Sequence, residues 1–260
     1  MNFSKEQLAE HEKNSAITKR ELKEALSSSD QRISQIVTSI SELDESINVN
    51  VERLREWYML YYPEVVAKIK NNEAFVKATA KAKSRDDFHD VPKDSIGADF
   101  AQTDVDTMRI LARSIQETYE LQEKFRNVLK TLMKANYPNL QTVAGDIVGA
   151  KLIAHAGDAE RLARMASSTI QILGAEKALF RHMTTGAKSP KYGILLQHQL
   201  LQSARRGEKG KVARAVAGKI SIAVKVDVYG GEYCGDKLRK DMERAVERIK
   251  EKAKRKGLKG

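Results

Sequence analysis

Cysteine, proline, tryptophan and long apolar runs are scarce in this 260-residue chain. One cysteine, Cys234, excludes an internal disulfide and suits a reducing compartment, so the sequence reads as cytoplasmic. Only four prolines interrupt the backbone, which leaves room for long helices. No apolar run approaches the ~18 residues of a membrane-spanning helix. The opening residues, MNFSKEQLAEHEK, carry acids and lack the apolar core of a signal peptide. The histidines, His11, His89, His155, His182 and His198, are scattered. None stands at metal-ligand spacing with Cys234 or a carboxylate, so neither a zinc site nor any other cofactor is expected.

Several catalytic signatures can be looked for and are missing. TTGAKSP resembles a phosphate loop, but the leading glycine is absent and Ala187 separates Gly186 from Lys188. GEKGKVAR offers Gly-Lys with no following Ser or Thr to hold magnesium. No dinucleotide fingerprint or nucleophile elbow occurs. The residues give no reason to expect an enzyme.

What is present is helix-forming residues and charge. Hydrophobic residues make up 41% and charged residues 31%, with Ala, Leu, Lys, Glu, Arg and Gln prominent, a composition that favours helix. The net charge of +11 is unevenly spread. Residues 145–260 hold 25 Lys and Arg against 12 Asp and Glu, a net of +13, whereas residues 1–144 hold 21 against 23. A basic half of this kind attracts a polyanion at long range, nucleic acid before an anionic membrane. The blander reading is a solubilising surface.

The first half has a heptad pattern. Leu22, Leu26, Ser29, Ile33, Ile36, Ile40, Leu43, Ile47, Asn50, Leu54, Trp57 and Tyr61 step by four and three, with Ser29 and Asn50 as polar breaks that could set register. Pro63 should stop or kink this helix, and EVVAKIKNNEAFVKATAKAKS reads as helical to about Ser84. RDDFHDVPKDSIGADFAQTD reads as a loop or tip near 84–103. A second seam follows: Met108, Leu111, Ile115, Thr118, Gln122, Phe125, Leu129 and Leu132. Thr103 or Asp104 is its expected N-cap, and Pro138 ends it near Tyr137. The pattern predicts a long antiparallel coiled-coil arm over 1–137, able to join two copies. The alternative is two helices of a globular bundle.

Residues 138–260 read as a compact helical domain with a basic C-terminal tail. NLQTVAGDIVGAKLIAHAGDAERLARMASSTIQILGAEKALFRHM is a chain of short helices whose small residues allow close packing. Residues 194–204 look helical. ISIAVKVDV, from Ile220, alternates as a strand would. Taken at helical spacing, Val212, Val216, Ala217, Ile220, Ala223 and Val224 form one face instead. EYCGDKLRKDMERAVERIKEKAKRKGLKG reads as a salt-bridged helix fraying into the tail. The fold class expected is all-α.

The cations converge on two places. Lys177 and Arg181 are one turn apart, and Lys188 and Lys191 flank Pro190, whose fixed φ stiffens the loop. Gln197, His198 and Gln202 offer neutral donors and acceptors. Arg205, Arg206, Lys209, Lys211 and Arg214 form a second basic cluster. Blander roles stand beside these. Lys177 could pair with a carboxylate and Arg181 could answer a helix dipole. Lys188 and Lys191 could be solvated, His182 and His198 could be surface or partly packed residues, and Tyr192 could pack rather than stack on a base. The tail lysines between 250 and 259 suit non-specific contacts.

LREWYMLYYPEV (54–65), IGADFAQTDVDTMRILA (96–112), the 139–183 block with its GAEKALF, and KSPKYGILLQHQLLQ (188–202) carry a resemblance. Together they are similar to the Nop-domain proteins, most closely those of archaeal box C/D small ribonucleoproteins, over about residues 20–245. The resemblance implies a coiled-coil dimerisation arm followed by a helical Nop domain. That domain would grip a kink-turn guide RNA together with the primary protein already bound to it. It implies a non-enzymatic scaffold, methyl transfer belonging to fibrillarin. An N-terminal α/β domain docks fibrillarin in the family; this chain starts almost at the arm, so that domain is expected to be missing and the chain truncated. The family's counterpart of 210–231 is helical, which favours helix over strand at 220–228. A spliceosomal-type Nop protein, or a nonspecific basic coiled-coil protein coating nucleic acid or membrane, is the rival reading.

Overall fold

The computed structural model describes residues 5–26, 28–92 and 94–257, and every regular element among them is helical, as expected. In chain order the helices are α1 (Lys5–Leu26), α2 (Ser29–Tyr61), α3 (Pro63–Lys68), α4 (Asn72–Lys81), α5 (Gln102–Asn136), α6 (Pro138–Ala144) and α7 (Asp146–Ala156). Then come α8 (Ala159–Arg164), α9 (Ser167–Ile172), α10 (Glu176–Thr185), α11 (Gln199–Gln202), α12 (Lys209–Tyr229) and α13 (Gly235–Gly257). Short 3-10 turns occupy Arg85–Asp87 and Ile194–Gln197. The chain divides into two compact units, one of residues 38–128 and one of residues 1–37 with 129–260. The Leu26 side chain and the tail side chains beyond residue 252 lie outside what is described.

The two long helices carry a heptad stripe, but half of its positions differ from the sequence reading. On α2 the buried residues are Ile33, Val37, Ile40, Ile47, Val51, Leu54, Tyr58 and Tyr61. On α5 they are Val105, Met108, Ala112, Ile115, Gln122, Leu129 and Met133. Val37, Val51 and Tyr58 therefore take the places expected of Ile36, Asn50 and Trp57, and Ala112 and Met133 those of Leu111 and Leu132. The larger apolar residues flank the stripe and mask it, because its inner positions include small and polar side chains. Asn50 sets no register: its amide donates back to the Ser46 carbonyl at 2.8 Å. The buried polar contact is Gln122, which donates to Asp44 Oδ1 at 2.6 Å. Nor does the first seam continue back to Leu22. Leu22 is exposed, α1 stops at Leu26, and the Ser28 hydroxyl accepts from Gln31 N at 3.3 Å as α2 begins.

Within the unit 38–128 the core is aromatic. Tyr58, Tyr61, Tyr62 and Phe75 pack with Leu54, Val65 and Val76, and Phe88 and Phe100 close over them. Tyr58 meets Phe75 edge to face at 5.4 Å between ring centres. Arg85 lies 4.6 Å above the Tyr61 ring and donates to the Tyr61 and Ala98 carbonyls at 2.7 and 2.6 Å, which ties the 82–101 segment down. The expected single helix from Glu64 to about Ser84 is two, α3 and α4. The Asn71 side chain accepts from Ala74 N at 2.8 Å and starts the second. Likewise α5 starts slightly before the expected Thr103 or Asp104, with the Ala101 carbonyl accepting from Asp104 N and Val105 N at 3.0 and 3.2 Å.

In the other unit α12 is the central helix. Val212, Val216, Ala217, Ile220, Ala223 and Val224 are all buried, which settles the 220–228 ambiguity in favour of helix. Alternation there comes from β-branched residues that happen to fall on both sides of a wide buried face. Asp227 near the end of α12 caps α6, accepting from Asn139 N, Asn139 Nδ2 and Leu140 N at 3.1, 2.7 and 2.8 Å. Close packing of small residues is seen at Gly149, where a β-carbon would stand 2.9 Å from Met133 Cε. Asp30 accepts from Ala159 N at 2.9 Å and from the Tyr137 hydroxyl. The expected helix over 194–204 is not continuous. His198 is extended (ψ 134°) and separates the 3-10 turn from α11.

Candidate nucleic-acid interface

Residues 174–193 leave the domain and return to the point they left. Gly193 N donates to Gln171 O at 3.1 Å, Ile194 N to Leu173 O at 2.8 Å, and Gln171 Nε2 to Lys191 O at 2.7 Å. Glycine is required at both feet. Gly174 has φ +83°, and a β-carbon there would come 2.6 Å from Ile194 Cγ1. At Gly193 it would come 2.0 Å from Leu173 O. Between the feet lies α10, which has no buried residue. It ends at Gly186, φ +68°, with the His182 ring bonded to the Ala187 carbonyl beyond it. Gly186 thus serves as a helix C-cap and not as part of a phosphate cradle.

Helical spacing puts two chemistries on α10. Lys177 and Arg181 share one exposed side, and among the described residues no ion-pair partner reaches either. Phe180 and Met183 are 68% and 75% exposed on another. Glu176 at the helix start accepts from Gly174 N at 2.6 Å, and that bond holds its carboxyl below the usual range. Facing solvent without neutralising partners, Lys177 and Arg181 are free to meet phosphate.

The two expected clusters meet at Lys191. Its side chain lies beside Gly210, where a β-carbon would be 3.4 Å from Lys191 Cδ. This puts Lys191 against the first turn of α12, between Lys209 and Lys211. Arg205, Arg206, Lys211 and Arg214 are exposed and Lys209 is half-buried. The last three of this cluster are on α12 and only Arg205 and Arg206 are in the turn before it. Lys188 and Gln202 are exposed and the structure ties them to neither cluster. Gln197 is exposed, but its Oε1 accepts from Lys151 Nζ at 3.0 Å.

His198 does not fit the role expected for it. It is 7% exposed; Nε2 bonds the Val143 carbonyl at 3.0 Å and Nδ1 accepts from Leu200 N at 3.2 Å. Both ring nitrogens are committed to the fold, leaving nothing for a ligand, and burial holds the imidazole pKa below its usual value.

The geometry is that of an all-helical protein with a cationic surface on one of its compact units. The chain belongs to the Nop family: the family profile, described as snoRNA binding domain, fibrillarin, matches residues 39–248. It is 37% identical over 253 residues to an uncharacterized NOP5 family protein of Methanocaldococcus jannaschii, covering 91% of this chain and 61% of that one. Nucleolar protein 58 of Saccharomyces cerevisiae is 35% identical over 229 residues, covering 82% and 45%, and nucleolar protein 56 of the same yeast is 30% identical over 257 residues, covering 89% and 51%. The chain thus spans about half the length of the curated relatives it matches. The fold is shared with a chain in the crystal structure of a fibrillarin/Nop5p complex, at a TM-score of 0.54 and 24% identity over 95% of this chain and 80% of that one.

Proposed function

We propose that this chain is a scaffold of a box C/D small ribonucleoprotein. It grips a kink-turn guide RNA that already carries its primary protein, and helps position fibrillarin for guide-directed 2′-O-methylation. The observation that carries the reading is the excursion 174–193, held by glycines at both feet and presenting Lys177 and Arg181 unpaired to solvent. A rigid outward helix with free cations suits a distorted RNA backbone, which is recognised by shape and phosphate position more than by base edges. Lys191 and the Arg205–Arg214 cluster extend the same surface, and Lys188 is the remaining cation of the excursion. Dimerisation belongs to the α2 and α5 helices, where Val49, Leu60, Ile110 and Val128 are exposed apolar residues.

The test is binding of the double variant Lys177→Ala, Arg181→Ala to a kink-turn RNA preloaded with its primary protein, followed through a salt titration. Affinity should fall by at least about tenfold and the salt dependence should flatten. Unchanged affinity and slope sink the assignment. Equal binding to an unstructured RNA of the same length would favour a nonspecific coat protein instead. Sequencing of the RNAs recovered with the chain separates box C/D guides from spliceosomal RNA.

A further inference from the structure

The cations of α13 form a second surface that the excursion does not use. At 100° per residue, Lys237, Lys240, Arg244 and Arg248 fall within about 80° of one another, along about 16 Å of helix. All four are exposed. The opposite side of the helix, Leu238, Met242 and Val246, is buried. Glu243 and Glu247 lie to one flank of the row, and Asp241 on the other is occupied by Lys219 at 3.2 Å. Arg244 is only 3.9 Å from Asp241, and both are substantially exposed, so this pair costs little to give up.

The Lys219–Asp241 bridge fixes where the row leads. Helix α12 ends at Gly230, in the left-handed conformation, and a short turn sends α13 back antiparallel to it. Beyond the bridge α13 continues through Arg244 and Arg248 in the direction of the earlier turns of α12. Val212 and Val216 are buried, and their exposed neighbours on α12 are Lys211 and Arg214. On each helix the exposed cations lie beyond the bridge, on the side away from the core. The row thus runs toward the basic cluster at the start of α12, and through Lys191 toward the excursion.

We infer that α13 is a second RNA-backbone surface, taking RNA that extends past the segment held at the excursion. Between Lys237 and Arg248 the row holds cations, with acids on either flank and Glu251 one turn beyond Arg248 on the same line, and a row of this kind fits a linear polyanion. It does not fit a bilayer, because the apolar side of α13 is buried in the domain and leaves no wedge for lipid. It does not fit a high-affinity protein contact, because no aromatic or aliphatic anchor stands within the row. The inference rests on the RNA-binding reading above and adds to it a partner segment and four residues.

The experiment compares two variants of the full chain. One is Lys237→Gln, Lys240→Gln, Arg244→Gln, Arg248→Gln, which keeps good helix formers on α13; the other is Lys177→Ala, Arg181→Ala. Circular dichroism checks that both stay helical. Two probes are used, each a kink-turn RNA loaded with its primary protein, one with a minimal stem and one with the stem extended by a helical turn. The α13 variant should bind the minimal probe as the parent does. On the extended probe it should lose on the order of tenfold in affinity, and its slope of log K against log salt should fall by about 3, near 0.7–0.9 per lost contact. Unchanged affinity and slope on the extended probe overturn the inference and leave the excursion reading standing. Loss by the α13 variant alone, with Lys177 and Arg181 dispensable on both probes, overturns the excursion reading instead. Equal loss by the α13 variant on both probes overturns the assignment of a separate RNA segment.

Discussion

Gly193 passes so close to Leu173 that a β-carbon on it would stand 2.0 Å from the Leu173 carbonyl oxygen. That oxygen is the acceptor for Ile194 N at 2.8 Å, so any shift made to relieve the clash also breaks the bond that closes the excursion. Gly193→Ala should destabilise the fold by about 1–3 kcal/mol, the usual range for overpacking. It should also weaken RNA binding beyond what the loss of stability explains, because it moves α10. Chemical denaturation and RNA titration of the same preparation check both. Normal stability together with normal RNA affinity would mean that the feet are not closed in solution.

Gln122 and Asp44 are the polar contact of the α2–α5 stripe. Gln122 is 6% exposed and donates at 2.6 Å to a carboxylate that is itself about half exposed. Gln122→Ala should cost about 1 kcal/mol, since Asp44 can turn to water. A double-mutant cycle with Asp44→Asn should give a coupling of at least about 0.5 kcal/mol. Strict additivity would show that the pair does not act as a register contact.

Asp227 reaches from α12 to three donors at the start of α6, and Asn139 in turn accepts from Cys234 N at 2.7 Å. Removing the carboxylate leaves the first turn of α6 without its acceptor and loosens the turn before α13. Asp227→Ala should lower stability by about 2–3 kcal/mol, as for charged hydrogen bonds, with Asp227→Asn intermediate. Equal unfolding midpoints for Ala and parent would refute the cap.

Much of this fold is legible in the sequence, and the departures have local causes. All six positions that helical spacing assigns to the α12 face are buried, and Ala213 and Ser221 join them. The stripe on α2 and α5 was read half right. Ile33, Ile40, Ile47, Leu54 and Tyr61 belong to it, but the step of four and three lands on Trp57 and Leu111 where the structure buries Tyr58 and Ala112. Nothing in composition tells an apolar flank from an apolar seam; the partner helix decides. Lys177 and Arg181 were visible from spacing. That their helix carries no buried residue, and that Lys191 touches Gly210, depends on the 171–173 and 193–194 backbone meeting, which no short-range pattern encodes. The burial of His198 escapes the sequence for the same reason: its partners, Val143 O and Leu200 N, include one 55 residues away.

His198 also sets a pH dependence. Burial lowers its folded-state pKa, against an unfolded value of ~6.5. Below that unfolded value the unfolded chain takes up a proton that the folded imidazole resists, so stability falls as pH drops through it. Above it both states are neutral at this site and the penalty is absent. Groups facing the ring matter too: Arg239 disfavours its charged form, while the Val143 carbonyl favours it. His198→Asn removes the titration and should flatten the pH profile of stability between about pH 8 and about pH 5.5, at some loss of stability at every pH because the Val143 carbonyl loses its partner. Urea unfolding midpoints for parent and variant across that range give the comparison. A variant profile parallel to the parent's would show that His198 does not set the pH dependence.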